Sequence, residues 1–186
     1  MPCPKTLDKE AARLMEKLKG VYTVADCITA QTAISLTGLT YFRAWRRLKA
    51  LAAAGYIEIQ KVEKGGAFVN LYCLKGRKPE KVYLHDGHKA YLIKLTDVAK
   101  AVEAELRGFA THTASVKIRH LKDALSLPNT ALIGVLLKHM VLSVIKDAVI
   151  REEVRDSTGV FTIVLVVDKK KALKLIEEYR RGSPPS

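Results

Sequence analysis

The chain has 186 residues, 48% of them hydrophobic, and a formal net charge of +13. This hydrophobic content excludes a disordered chain, and no apolar run reaches the roughly 20 residues of a membrane span. The basic excess favours a polyanionic partner, most often nucleic acid, over a merely soluble lysine-rich surface. The opening residues MPCPKTLDKE contain no signal-peptide core, so we expect an intracellular, cytoplasmic protein.

Positive charge is concentrated in one part of the chain. Residues 1–39 contain five basic and four acidic residues, a net +1, whereas 40–80 contain nine and three, a net +6. Residues 81–186 also total +6, from eighteen basic and twelve acidic residues, over a much longer stretch. The density of positive charge is therefore highest in 40–80.

The three cysteines, Cys3, Cys27 and Cys73, are an odd number and have no CxxC spacing. This argues against both a disulfide framework and a zinc site. We expect buried or idle thiols.

The first elements in chain order are helical. Apolar residues at helical spacing predict an amphipathic helix over 7–19, and 21–28 is compatible with a further helical turn or a short strand. Thr29 is a credible N-cap for a short helix over 30–37. Gly38 then allows the left-handed residue that a tight turn between helices needs.

A longer, arginine-bearing helix follows this turn. Thr40 can cap it and Gly55 ends it. Within it, Ala44, Leu48 and Leu51 share one face, which predicts that this face is buried.

Two hairpins are predicted after this helix. Strands over 56–62 and 67–74 flank a turn at Gly65-Gly66, and Asp86-Gly87 between two apolar runs is a second hairpin signal. A basic link over 75–79 joins the hairpins.

The second half of the chain repeats the opening pattern. After a helix from Thr96 to about residue 109 and a loop over 108–114, we predict a short helix over 120–125. Asn129 then caps a helix over 130–140 that can run further.

The end of the chain is predicted as a hairpin, a helix and a tail. The hairpin has strands over 149–155 and 160–167. Asp168 caps a last helix that ends near residue 181, and a disordered tail over 182–186 follows.

The stretch TAQTAISLTGLT followed by RLKALAAAGYIE resembles the winged helix-turn-helix family, which includes many bacterial and archaeal transcription regulators. The resemblance covers about a quarter of the chain closely, and about three quarters if the second copy is included. It implies an α+β, mostly α fold of two winged-helix-like units, each of helices plus a small antiparallel β-hairpin. It also implies that 40–54 is the recognition helix and 60–69 the wing.

The domain division that follows has four parts. Residues 1–80 form a DNA-binding domain and 81–95 a connecting hairpin. Residues 96–181 form a second, dimerising winged-helix-like domain, and the tail is 182–186. Where the connecting hairpin packs stays open at this stage.

Candidate DNA-binding residues lie on the recognition helix, on the wing and on the basic link. An arginine on the helix can be bidentate to guanine, and the other cations suit phosphates. The candidates are Thr40, Tyr41, Phe42, Arg43, Arg46, Arg47, Lys49, Lys61, Lys64, Arg77 and Lys78.

The second presumed recognition helix, NTALIGVLLKHM, is apolar where the first is basic. The strand over 160–167 is apolar on both faces, so something must cover its second face: the final helix, the Asp86-Gly87 hairpin or another copy of the chain. We favour a homodimer. Its expected interface residues are Leu132, Val135, Leu136, Phe161, Ile163 and Leu165.

No catalytic constellation is expected. His85 and His88 flank a tight turn without a further ligand nearby, and there is no P-loop, GxGxxG or HExxH pattern. We therefore predict a non-enzyme without cofactor or metal, binding double-stranded DNA as a homodimeric transcription regulator. The alternative is a protein-interaction module that uses the Tyr41–Trp45 face, and a lesser one is a single-strand binder.

Overall fold

The computed structural model describes residues 8–64, 67–157 and 160–182, with side chains throughout these ranges except at 63–68 and 156–161. The chain divides into two compact units, Met1–Lys94 and Leu95–Ser186. The sequence placed 81–95 in a connection between two domains, whereas the first unit extends through Lys94.

The described part of the first unit contains three helices and five strands. The helices are α1 (Lys9–Tyr22), α2 (Ala30–Thr37) and α3 (Tyr41–Ala53). The strands are β1 (Cys27–Ile28), β2 (Ile57–Lys64), β3 (Ala67–Leu74), β4 (Lys81–His85) and β5 (Ala90–Lys94).

The predicted ends of α2 and α3 are confirmed. The Thr29 hydroxyl accepts a hydrogen bond from the Thr32 backbone N–H, and the Thr40 hydroxyl accepts one from that of Arg43, both at 3.4 Å. Between the helices Gly38 has φ +70°, in the left-handed region that a residue without Cβ adopts readily. Local chemistry therefore fixes the turn from α2 into α3.

The five strands form one mixed sheet in the order β2-β3-β1-β4-β5. Strand β1 is antiparallel to β3 and parallel to β4, so the Asp86-Gly87 hairpin belongs to the sheet of the first unit. Residues of α1 (Leu14, Leu18), α3 (Leu48) and β3 (Tyr72) share one buried cluster. The sheet thus packs against the helices that hold α3 in place.

The expectation of unpaired cysteines is wrong. Cys27 on β1 lies opposite Cys73 on β3 in the strand register, and the two form a disulfide with a Cα–Cα distance of 4.0 Å. The 46 residues between them hid this proximity from sequence spacing.

The described part of the second unit has four α-helices, α4 (Leu95–Arg107), α5 (Ile118–Ala124), α6 (Ala131–Ile145) and α7 (Lys169–Arg180), and a 3₁₀ turn at Lys146–Ala148. Its strands are β6 (Thr113–Lys117), β7 (Val149–Ser157) and β8 (Val160–Asp168). They form an antiparallel sheet in the order β6-β8-β7. The loop predicted over 108–114 therefore ends where β6 begins, at Thr113.

The predicted fold class, mostly α with one small hairpin per unit, is wrong. The chain is α+β with a five-stranded mixed sheet and a three-stranded antiparallel sheet. The additional strands, β1, β4, β5 and β6, pair with residues distant in sequence, which the local pattern does not reveal. None of the helices in the described ranges is long and apolar enough to cross a membrane.

Candidate nucleic-acid interface

Helix α3 has one buried and one exposed side. Ala44, Leu48 and Leu51 are fully buried, as their spacing predicted, and anchor the helix in the first unit. The opposite side presents its side chains to solvent. What this exposed side carries determines what the unit can bind.

Two large aromatic side chains stand at the N-terminal end of the exposed side. Tyr41 is 65% exposed and Phe42 is 61% exposed. Arg43, Arg46 and Lys49 are exposed beside them and recur every third residue, so they lie on neighbouring rows of the same side. The exposed side of α3 therefore combines three cations with two aromatic rings.

The cations and rings on α3 contact one another. The Arg46 guanidinium lies 5.7 Å from the centre of the Phe42 ring, and the Lys49 ammonium lies 4.5 Å from that of Trp45. Phe42 and Trp45 are themselves stacked, with ring centres 6.1 Å apart. We call Phe42, Trp45, Arg46 and Lys49 the cation–aromatic row.

The row restricts its cations without neutralising them. Cation–π contacts at exposed sites are worth about 0.5–1 kcal/mol, so they orient a guanidinium while leaving its charge available. Within the described part of the chain, Arg43, Arg46 and Lys49 have no carboxylate within ion-pair distance. Phe42 with Arg46 and Trp45 with Lys49 are both four residues apart, a spacing from which sequence analysis could have inferred the contacts.

Arg47 does not belong to this surface. Its guanidinium lies 2.8 Å from the carboxylate of Glu10 on α1, and its side chain is only 18% exposed. A buried arginine that already has a carboxylate partner is a poor phosphate ligand. The sequence placed Arg47 among the DNA-binding residues, and its position instead favours a structural role between α1 and α3.

The remaining candidates lie on the first hairpin and the basic link. Lys61 is exposed on β2 and pairs in register with Asn70, and Lys78 is exposed on the link. The Arg77 guanidinium is half-exposed, 3.4 Å from the Asp26 carboxylate. The side chain of Lys64 lies outside the described residues. No distance available here joins these residues to the exposed side of α3.

The expected dimer residues of the second unit are largely buried. Val135 is 5% exposed, and Leu136 and Leu165 are fully buried. Leu132 and Ile163 are half-buried, and the side chain of Phe161 lies outside the described residues.

Strand β8 does not need a second copy to cover its faces. Its residues Val164–Val167 are at most 2% exposed within one chain, and both α5 and α7 contact β8. The apolar character of this strand thus reflects a core and gives no support to a dimer interface there.

The two histidines of the Asp86-Gly87 hairpin act within the turn. The Gly87 backbone N–H donates to Nδ1 of His85 at 3.0 Å, and the Asp86 carboxylate accepts from the backbone N–H groups of His88 and Lys89. In the described ranges, no three His, Cys, Asp or Glu side chains are grouped as a metal site would require.

Comparison with known proteins adds little to this description. No family model matches the chain, and no curated protein is similar to it. Among solved structures, a hypothetical protein of Pyrobaculum spherical virus aligns with 86% of this chain and 97% of its own, at 17% identity and a TM-score of 0.46. Similarity at that level supports no inference about fold or function.

Proposed function

We propose that the chain binds double-stranded DNA through the exposed side of α3 and acts as a transcription regulator. The observation that carries this proposal is the set of three exposed cations, Arg43, Arg46 and Lys49, on one side of a helix whose other side is buried. An α-helix fits the major groove, where arginine can bond O6 and N7 of guanine. Lysine suits the flanking phosphates.

The cation–aromatic row supports this use of α3. Phe42 can contact a thymine methyl group while it holds Arg46 in place, so base-edge contacts of two kinds come from adjacent side chains. A pre-oriented guanidinium also loses less side-chain entropy on binding. Lys61 and Lys78 would add contacts to phosphates, which strengthen binding without reading sequence.

The exposed aromatics favour one alternative, a protein-interaction module. Tyr41 and Phe42 are exposed to an extent that is unusual for large rings, and aromatic residues are enriched at protein interfaces. In that case Phe42→Ala would abolish the complex while salt had little effect. Binding to single strands, with the rings as stacking surfaces, would appear as a preference for the single strand over its duplex.

A fluorescence-anisotropy titration distinguishes these functions. The full chain is titrated against a random-sequence duplex and its single strand, between about 50 and 200 mM salt. We expect tighter binding to the duplex and a steep loss of affinity as salt rises. Replacing both Arg43 and Arg46 by alanine should weaken binding and reduce the slope of log K against log salt by about 2.

A matched control uses the second unit. Lys170→Ala/Lys174→Ala removes the same charge from two exposed positions of α7 and should leave duplex affinity almost unchanged. Equal losses in both double variants would show that only net charge matters. No duplex binding at low salt would refute the proposal.

A further inference from the structure

Strand β7 lies at the edge of the three-stranded sheet. The order β6-β8-β7 gives β7 one neighbour, β8, in the described part of the chain. Every second residue of an edge strand directs its N–H and C=O groups away from the sheet, where they can accept a further strand. β7 has nine residues, so this edge is long enough to pair.

The exposed apolar side chains of the second unit are concentrated on this strand. Ile150 is 57% exposed and Val154 is 61% exposed, and no other large apolar residue described in this unit is exposed to that extent. Ile150 is also the extra residue of a β-bulge, because the register with β8 passes from Val149 directly to Arg151. Two apolar side chains on an open edge are a liability unless another strand covers them.

Charged residues alternate with these apolar ones. Arg151 and Arg155 both contact the Glu153 carboxylate, at 2.7 and 2.8 Å. Glu152 is paired at 2.6 Å with Lys138 of α6. The edge therefore presents an ordered sequence of charges that is sensitive to the register of any strand that pairs with it.

We propose that β7 pairs antiparallel with β7 of a second copy of this chain, with Glu152 on the two-fold axis. This register places Ile150 of one copy opposite Val154 of the other, twice by symmetry. It also places Arg151 opposite Glu153, again twice. Apolar pairs and opposite charges directly across a ladder each contribute about 0.2–1 kcal/mol, so four favourable pairs coincide in one register.

The neighbouring registers are worse. Cross-strand partners must lie on the same face of the joined sheet, so the register can shift only so that the axis moves by one residue. An axis at Glu153 places Arg151 opposite Arg155 and Glu153 opposite itself. An axis at Arg151 places Ile150 opposite Glu152.

An axis at Val154 is the remaining alternative. It pairs Glu153 with Arg155 favourably, but it places Glu152 opposite Asp156 and leaves Ile150 without an apolar partner. Only the axis at Glu152 matches both apolar residues. The like charges on that axis are offset in each copy by its own Lys138.

This interface differs from the one expected from sequence. The expected residues on α6 and β8 are largely buried, whereas the β7 edge uses residues that one copy leaves exposed. The inference does not depend on DNA binding, because no residue of α3 takes part in it.

Sedimentation velocity on the full chain tests the interface. We expect a dimer for the natural sequence and a monomer for Val154→Lys, which introduces two charges opposite Ile150. Val24→Lys is the matched control, since Val24 is 50% exposed in the first unit and should leave the dimer intact. A monomeric natural chain, or a dimer that survives Val154→Lys, overturns the proposal.

Cross-linking tests the register and does not require Val154→Lys to fold. In a Cys3→Ser background, Cys27 and Cys73 are joined to each other, so an introduced cysteine is the free thiol. We expect Glu152→Cys to give a disulfide-linked dimer on mild oxidation, because residue 152 faces its own symmetry mate. Glu153→Cys should give much less. The reverse result, or no cross-link with either, contradicts the proposed pairing.

Discussion

The Arg47 guanidinium lies 2.8 Å from the carboxylate of Glu10 and joins α3 to α1, whereas the preceding residue, Arg46, is exposed and lies over the Phe42 ring. Two adjacent arginines therefore have different tasks. Arg47→Ala should lower the free energy of unfolding by about 1 kcal/mol while leaving duplex affinity nearly unchanged. Arg46→Ala should do the opposite.

Urea denaturation and anisotropy titrations on both variants measure the two effects. The affinity loss for Arg46→Ala should be about 1–3 kcal/mol if the residue contacts a base edge. Glu10→Gln is the control for the ion pair and should reproduce the stability loss of Arg47→Ala. If Arg47→Ala instead weakens DNA binding as strongly as Arg46→Ala, the separation of roles is wrong.

The helix boundaries of the first unit could be predicted because they depend on local chemistry. Thr29, Gly38 and Thr40 each act on backbone groups within four residues, and all three were identified before the structure was known. The pairing of Arg47 with Glu10 could not be predicted, because it depends on how α1 packs against α3. Periodicity identifies the exposed side of a helix but does not show which of its charges a second helix already neutralises.

The disulfide between Cys27 and Cys73 gives the second prediction. A cross-link that closes a loop of 46 residues stabilises a fold by about 2–4 kcal/mol, chiefly by restricting the unfolded chain. Cys27→Ala/Cys73→Ala should therefore shift the urea midpoint markedly downward, and a reductant should have the same effect on the natural chain. Cys3→Ala should have almost none.

Thiol titration of the denatured, unreduced protein is an independent test. One reactive thiol per chain is expected, that of Cys3, rising to three after reduction. Three thiols without reduction would show that the cysteines are unpaired in solution.

Sheet topology was the part of the fold that sequence did not reveal. β1 has only two residues, Cys27 and Ile28, which is too short for alternation to be recognised. Yet this strand joins the first hairpin to β4 and thereby creates a five-stranded sheet. The cation–aromatic row, by contrast, consists of contacts at helical spacing and was within reach of sequence reasoning.

Thr32 gives the third prediction, through the connection of α2 to the sheet. Its fully buried hydroxyl donates to the Tyr83 carbonyl at 3.1 Å and accepts from the His85 backbone N–H at 3.2 Å, both on β4. Thr32→Val keeps the shape and leaves both backbone groups without this partner. We expect a loss of about 1–3 kcal/mol in the free energy of unfolding.

Thr32→Ser is the matched control, since it keeps the hydroxyl, and urea denaturation of the pair measures the difference. Because α2 precedes α3 at the Gly38 turn, Thr32→Val should also weaken duplex binding more than Thr32→Ser. Equal stability of the two variants would show that the methyl group matters and the hydrogen bonds do not.

The last prediction concerns alkaline pH and Tyr22. Its buried hydroxyl donates to the Tyr72 carbonyl at 2.9 Å, and burial raises the pKa of Tyr22 well above its ordinary value of 10.0. A group whose pKa is raised in the folded state contributes stability that is complete below the unfolded pKa and is lost as pH rises above it. The natural chain should therefore lose up to about 1.4 kcal/mol per pH unit above pH 10 through this one residue.

Tyr22→Phe isolates this contribution. The variant should be less stable by about 1 kcal/mol at neutral pH, because it lacks the hydrogen bond. Its stability should then fall less steeply than that of the natural chain between about pH 9.5 and 11, so the two curves converge. Burial also raises the pKa of Tyr72, but that residue is present in both proteins and cancels in the difference. Tyr56→Phe, at a position 43% exposed, should run parallel to the natural chain throughout, and parallel curves for Tyr22→Phe as well would show that Tyr22 ionises as freely in the folded protein as in the unfolded one.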